Sequence, residues 1–183
     1  FLLKGPPDLS NFPVDVQYQE FDIEKVYLYD DEDLDKSGFS EEYSFVRKRT
    51  YGKNKSPQAA TFGHTTVRKI RHSEKEIEVK RIISVREYNA AIKTADPTRR
   101  VIKQTRISFL WQTQSFVVHI YNAPVNNICL LYCQVEGDSE VELPPFLDVD
   151  RVLDGPEDEW KYGSYGISLD YSRERKYSRG SLG

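Results

Sequence analysis

Alternation with a period of two runs through most of this chain and limits what it can become. Residues 22–29, 42–51, 61–68, 76–84, 105–111, 114–122 and 128–136 each set β-branched or aromatic residues against polar ones at alternate positions. Strand side chains repeat every two residues, so each run predicts a strand with two chemically different faces. Most links between the runs are too short for a crossover helix, which makes neighbouring strands antiparallel. The tightest, between Trp111 and Gln114, predicts a two-residue hairpin.

One helix interrupts the pattern. Ser84-Val85-Arg86-Glu87 is a capping box, and Val85, Tyr88 and Ile92 form an apolar stripe behind it. Asp96-Pro97 predicts a stop near Ala95. A weaker helix is expected over 157–165. From residue 170 to 183 the chain is polar and rich in Ser and Arg, which predicts a loosely docked tail. Phe1-Leu2-Leu3, stopped by Gly5-Pro6-Pro7, reads as the end of a strand, and the chain as a fragment of a longer protein.

A hydrophobic fraction of 38% over 183 residues allows a packed core under a charged surface. The net charge of -3 gives no global reason to expect nucleic acid as a partner. Basic residues nevertheless collect at 47–49, 68–71 and 99–106, so a local cationic pocket is compatible with an acidic chain. Cys129 and Cys133 fall on one face of a strand about 13 Å apart, beyond disulfide reach. Reduced thiols, and the lack of an apolar run of bilayer length, predict a cytoplasmic chain.

Glu76, Glu78 and Lys80 alternate along a single run and must share a face. A wall of carboxylate, carboxylate and ammonium suits water, metal ions or phosphates. Arg47 and Arg49 share a face in another strand, where two guanidinium forks can hold phosphate oxygens, or serve an exposed basic strand. Thr66 and Arg68 share a face in the next, and Arg106 ends a further basic stretch. Glu136, at the end of the 128–136 run, is a third carboxylate for a hard cation; surface glutamates paired with lysines are the alternative. Asp31, Asp33, Asp35 and Glu42 follow EF-hand spacing, but Lys36 stands where that loop needs glycine, which favours a solvated hairpin loop. Zinc-ligand spacing, a phosphate-binding P-loop and a nucleophile elbow are all missing from the sequence.

The order of these motifs resembles that of the CYTH-like, or triphosphate tunnel metalloenzyme, superfamily. It runs Val46-Arg47-Lys48-Arg49, Thr66-Val67-Arg68, Glu76-Ile77-Glu78, the capped helix, Ile102-Lys103-Gln104-Thr105-Arg106, an aromatic hairpin, Val135-Glu136, and Leu143-Pro144-Pro145-Phe146-Leu147. Within the superfamily the chain is most similar to the C-terminal domain of the TRPL translocation defect protein family, over residues 1–169. The resemblance implies an α+β fold, an antiparallel β-barrel forming a tunnel with a few flanking helices. It implies a P-loop NTPase-like domain before this one, and a signature strand at or before Phe1. Carried over by position, Arg47, Arg49, Arg68, Lys80 and Arg106 are implied phosphate contacts. Glu76, Glu78 and Glu136 are implied ligands of magnesium or manganese.

The departures from that pattern shift the implied function. Related domains carry carboxylates where this chain has Val117 and His119, and again at Gln134; Gln104 replaces a lysine. Fewer carboxylates weaken divalent-ion binding and metal-assisted hydrolysis. The expectation is therefore a polyphosphate-binding domain, foremost for a nucleoside triphosphate; the resemblance implies GTP, or a phosphoinositide at a membrane periphery, in intracellular trafficking. A metal-dependent triphosphatase and a non-binding scaffold for the NTPase-like domain are the rivals.

Overall fold

The computed structural model describes residues 1–29, 39–51, 60–73 and 75–170, with side chains of the second segment from Glu42 onward. Its strands are β1 (Leu2–Leu3), β2 (Tyr18–Leu28), β3 (Phe39–Tyr51), β4 (Thr61–Ile70), β5 (Glu76–Ile83), β6 (Ile102–Trp111), β7 (Gln114–Ala123), β8 (Cys129–Cys133) and β9 (Val149–Arg151). They form a nine-stranded sheet in the order β5-β4-β3-β2-β6-β7-β8-β1-β9. Every neighbouring pair is antiparallel. The helices are α1 (Val85–Ala91), α2 (Pro156–Tyr162) and α3 (Ser164–Ser168). The fold is α+β, mostly antiparallel sheet, and among the described residues no ladder joins its end strands β5 and β9.

Every strand expected from alternation is present, and the boundaries move for identifiable reasons. β2 and β6 begin earlier than their own polarity suggests because they pair with each other from Tyr18↔Phe109 to Lys25↔Ile102. A ladder partner satisfies the backbone there whatever the side chains are. β8 ends at Cys133 and not at Glu136. Its partner β7 starts at Gln114, and the last register pair is Phe116↔Cys133, so the chain beyond has little left to pair with. The β6–β7 hairpin turns on Gln112 and Thr113, both at positive φ (46° and 67°), the conformation a two-residue hairpin demands.

The capping box forms as expected. Glu87 N donates to Ser84 Oγ at 3.2 Å, and Ser84 N donates to the Glu87 carboxylate at 2.7 Å. The helix tightens into a 3-10 turn over Ile92–Thr94 and stops before Asp96-Pro97. Its apolar stripe is not buried as a unit: Tyr88 packs on Val26, Val46 and Ile83, whereas Val85 is 55% exposed. The second expected helix breaks into α2 and α3 at Gly163, where a Cβ would collide with the Glu159 carbonyl. Cys129 and Cys133 are free thiols.

Register divides the sheet into two faces, because residues directly opposite in a ladder point the same way. The packed face carries Ile107, Phe109, Phe116, Val118, Cys129 and Leu131, covered by Leu3, Phe12 and Leu147. Further along, α1 seals the same face over Val26 and Val46. The other face carries Phe21, Ile23, Lys25 and Tyr27 of β2, and opposite them Tyr51, Arg49, Arg47 and Phe45 of β3. One end of it is an aromatic cluster that α2 and α3 cover with Tyr162, Tyr165 and Ile167. Among the described residues no helix is long and apolar enough to cross a membrane.

Candidate functional site

The second face gathers cations. Lys25 lies opposite Arg47 on β3 and opposite Ile102 on β6; Phe21 lies opposite Arg106. Arg106 is in turn opposite His119 of β7. On the other side Arg47 is opposite Gly63, which has no side chain to fill the space above it. Thr65 faces Lys80, and Val67 faces Glu78, so β5 contributes its alternating Glu76, Glu78 and Lys80 to the same face. The sequence-predicted Arg47, Arg49, Lys80, Arg106, Glu76 and Glu78 are thus brought together by register alone.

Arg68 and Glu136 are not brought there. Arg68 sits opposite Ile77 and Glu42, one residue out of phase with Gly63 and Thr65, and therefore points from the packed face. Its Nε donates to Glu42 Oε1 at 2.7 Å, with Glu42 almost fully buried beneath it. Glu136 lies past the end of β8, exposed, beside the turn at Gly137. Among the described residues no group of three His, Cys, Asp or Glu side chains is placed to hold a metal ion. The aspartates Asp31, Asp33 and Asp35 of the EF-hand-like run lie outside the described residues; Glu42 is committed to Arg68.

The electrostatics follow from burial of like charges. Arg47 is held below the usual guanidinium range, first by desolvation and then by Arg49. Arg106 is pushed down to about 10 by burial and by Arg47, and its Nε and Nη2 donate to Gln104 Oε1 at 3.1 and 3.0 Å. Arg49 is sandwiched between Phe21 (4.0 Å to the ring centroid) and Tyr51 (4.6 Å), and its Nε is buried without a hydrogen-bond partner. None of Arg47, Arg49 and Arg106 has a carboxylate at ion-pair distance among the described residues. Lys80 does, pairing with Glu78 at 3.3 Å in an exposed position. His119 is pushed down to about 2 by burial and by Arg106 and Lys25, and so stays neutral against Tyr132.

Lys25 was invisible to motif reading. Protein surrounds it on most sides, and burial together with Arg106 and Arg47 lowers its ammonium to about 7. Its Nζ sits 4.7 Å from the Phe45 ring centroid and donates to Ser164 Oγ at 3.3 Å. The available signal was a lysine at an otherwise apolar phase of a strand, Phe21-Ile23-Lys25-Tyr27. Lys25 lines a cavity of about 350 Å³, with Lys69, Glu76 and Glu78 on the sheet side and Trp160, Ser164 and Tyr165 on the helix side. That volume suits a small ligand.

The helical wall of this cavity is tied down at its far end. Arg99 lies 3.4 Å over the Tyr165 ring, donates to Tyr165 O at 2.5 Å and to Ser168 Oγ at 2.8 Å, and pairs with Asp96 at 3.7 Å. Tyr165 stacks on Tyr43 at 4.0 Å, and Tyr27 shares a 2.7 Å hydrogen bond with Ser164.

No protein-family model matches this chain, and no curated protein sequence does. Its fold is similar to the crystal structure of the hypothetical protein NE1496, at 14% identity and a TM-score of 0.48, over 92% of this chain and 95% of that one.

Proposed function

We propose that this domain binds a polyphosphate on the face shared by Arg47, Arg49 and Arg106, as a CYTH-like domain whose sheet curls into a tunnel around that ligand. The observation that supports it best is a set of guanidiniums turned to one side of the sheet without carboxylate partners. Clustered cations repel one another, and the arrangement is costly unless an anion joins them. The orphaned Arg49 Nε, a buried donor with nothing to donate to, supports the same reading. Planar guanidinium forks match phosphate oxygens in geometry and charge.

The ligand class is a nucleoside triphosphate, with GTP favoured, or a phosphoinositide headgroup met at a cytoplasmic membrane periphery during trafficking. An adjacent NTPase-like domain belongs to the same proposal. Magnesium or manganese fits as an ion carried by the phosphates, held by Glu76 and Glu78. Such ions use one or two carboxylates plus substrate oxygens and water. The ion would neutralise phosphate charge next to the cavity. With Glu136 away from the cavity and His119 neutral, binding is favoured over hydrolysis.

Calorimetry with GTP, ATP and tripolyphosphate, with and without magnesium, tests this reading, with phosphate release followed in the same samples. Saturable binding without turnover is the expected result. Turnover abolished by Glu76→Gln would establish the triphosphatase instead. No binding to any of the three ligands would remove the proposal.

A further inference from the structure

Lys25 differs chemically from the arginines around it. A guanidinium holds its proton and can only bind an anion; an amine that gives up its proton is a nucleophile. Three geometric facts, in combination and not singly, set Lys25 apart among the lysines. It has no carboxylate at ion-pair distance among the described residues, whereas Lys4, Lys80 and Lys103 each pair with one. Its Nζ lies 4.7 Å from the Phe45 ring centroid on the wall of the 350 Å³ cavity, so its nitrogen is presented to a half-open space. Arg47 stands directly opposite it across the β2–β3 ladder and Arg106, opposite Phe21, shares the same face, which places anion-holding groups on the wall that carries the amine.

We infer that Lys25 is a covalent site for small phosphate-bearing aldehydes, which condense with its Nζ to form an imine while their phosphate is held by Arg47 and Arg106. The inference rests on the anion-binding reading of this face and adds a reaction to it. The nitrogen lone pair attacks the carbonyl carbon and the C=O π electrons move to oxygen, which takes a proton. The resulting carbinolamine loses that oxygen as water, the C=N bond forms, and both hydrogens of the neutral amine are consumed in the water released. No oxidant or reductant is needed. Ser164 Oγ accepts from Lys25 and shares a hydrogen bond of 2.7 Å with the Tyr27 hydroxyl, so a protein hydroxyl stands beside the nitrogen to carry a proton to the departing oxygen. The lowering of the ammonium to about 7 supplies a neutral fraction near physiological pH that an ordinary lysine lacks.

Pyridoxal 5′-phosphate is the probe, followed by borohydride, which delivers hydride to the imine carbon and makes the adduct permanent for peptide mapping. Lys25 is expected to be labelled at least tenfold faster than any other lysine. Pyridoxal without phosphate should label it at least tenfold more slowly, and tripolyphosphate should protect it. Lys25→Arg should abolish that adduct while keeping tripolyphosphate binding measurable by calorimetry. Labelling spread over exposed lysines with Lys25 spared, or equal labelling by pyridoxal, overturns the inference. If tripolyphosphate binds while Lys25 stays unlabelled, only the covalent step fails; if tripolyphosphate neither binds nor protects, the anion site fails with it. Mapping on the unmodified chain keeps the test independent of how the variant folds.

Discussion

Lys25 and Arg47 stand directly opposite each other across the β2–β3 ladder, on the same face of the sheet. Like charges directly opposite destabilise a strand pair. Here neither residue has a carboxylate partner at ion-pair distance among the described residues, and both are held below their ordinary ranges, first by burial. The pair is a local fault in the sheet that the proposed anion would correct, and the pH behaviour expected of the domain follows from it.

Binding a polyphosphate should take up a proton near neutral pH. The free ammonium titrates at about 7, and an adjacent phosphate favours the charged form, raising that value in the complex. Affinity should therefore fall as pH rises above 7. Calorimetry in two buffers of different ionisation enthalpy measures the uptake directly; Lys25→Met should remove it.

The same shift predicts a stability slope. The folded-state value is lowered from 10.5 to about 7, so the cost of burying the charge is full below 7 and fades as pH rises toward 10.5. Urea denaturation of the ligand-free domain should show this contribution making the fold more stable between pH 7 and pH 10. Lys25→Met should flatten that part of the profile and stabilise the domain most on the acidic side.

Arg99 should hold the helical wall of the cavity in place. It links Tyr165 O and Ser168 Oγ to β6's approach, and its guanidinium covers the Tyr165 ring. Arg99→Ala should cost about 3 kcal/mol, the range for losing buried hydrogen bonds to a charged group. Hydrogen exchange should show α2 and α3 losing protection before the sheet does.

The hairpin at Gln112-Thr113 stores a small strain. Thr113 is β-branched and sits at φ 67°, a conformation that costs L residues about 1 kcal/mol or more. Thr113→Gly should raise stability by about 1 kcal/mol in chemical denaturation, without effect on ligand binding.

How much of this was legible depends on which physical signal each residue leaves. The period of two places Glu76, Glu78 and Lys80 on one wall, and Arg47 with Arg49 on another, without any knowledge of the sheet. Whether two such walls are the same wall is a matter of register, set by pairing between distant segments. Thus Arg47 and Arg68 look alike as sequence, and only the Arg47↔Gly63 pair shows that Arg68 points the opposite way. Glu136 left the site because β8 ends where its partner runs out, a tertiary event that alternation alone does not carry. Lys25 left a signal that motif reading passes over, a charge at an apolar phase. The Ser84 cap was fully readable because all of its partners are local.

Tripolyphosphate titration of three variants decides whether the guanidiniums of the shared face hold the ligand. Arg47→Ala and Arg106→Ala remove guanidiniums from the shared face, and Arg68→Ala removes one from the packed face. The first two should each weaken binding at least tenfold, with Arg68→Ala binding as the unmodified domain does. Equal losses from all three, or a loss confined to Arg68→Ala, would contradict that role.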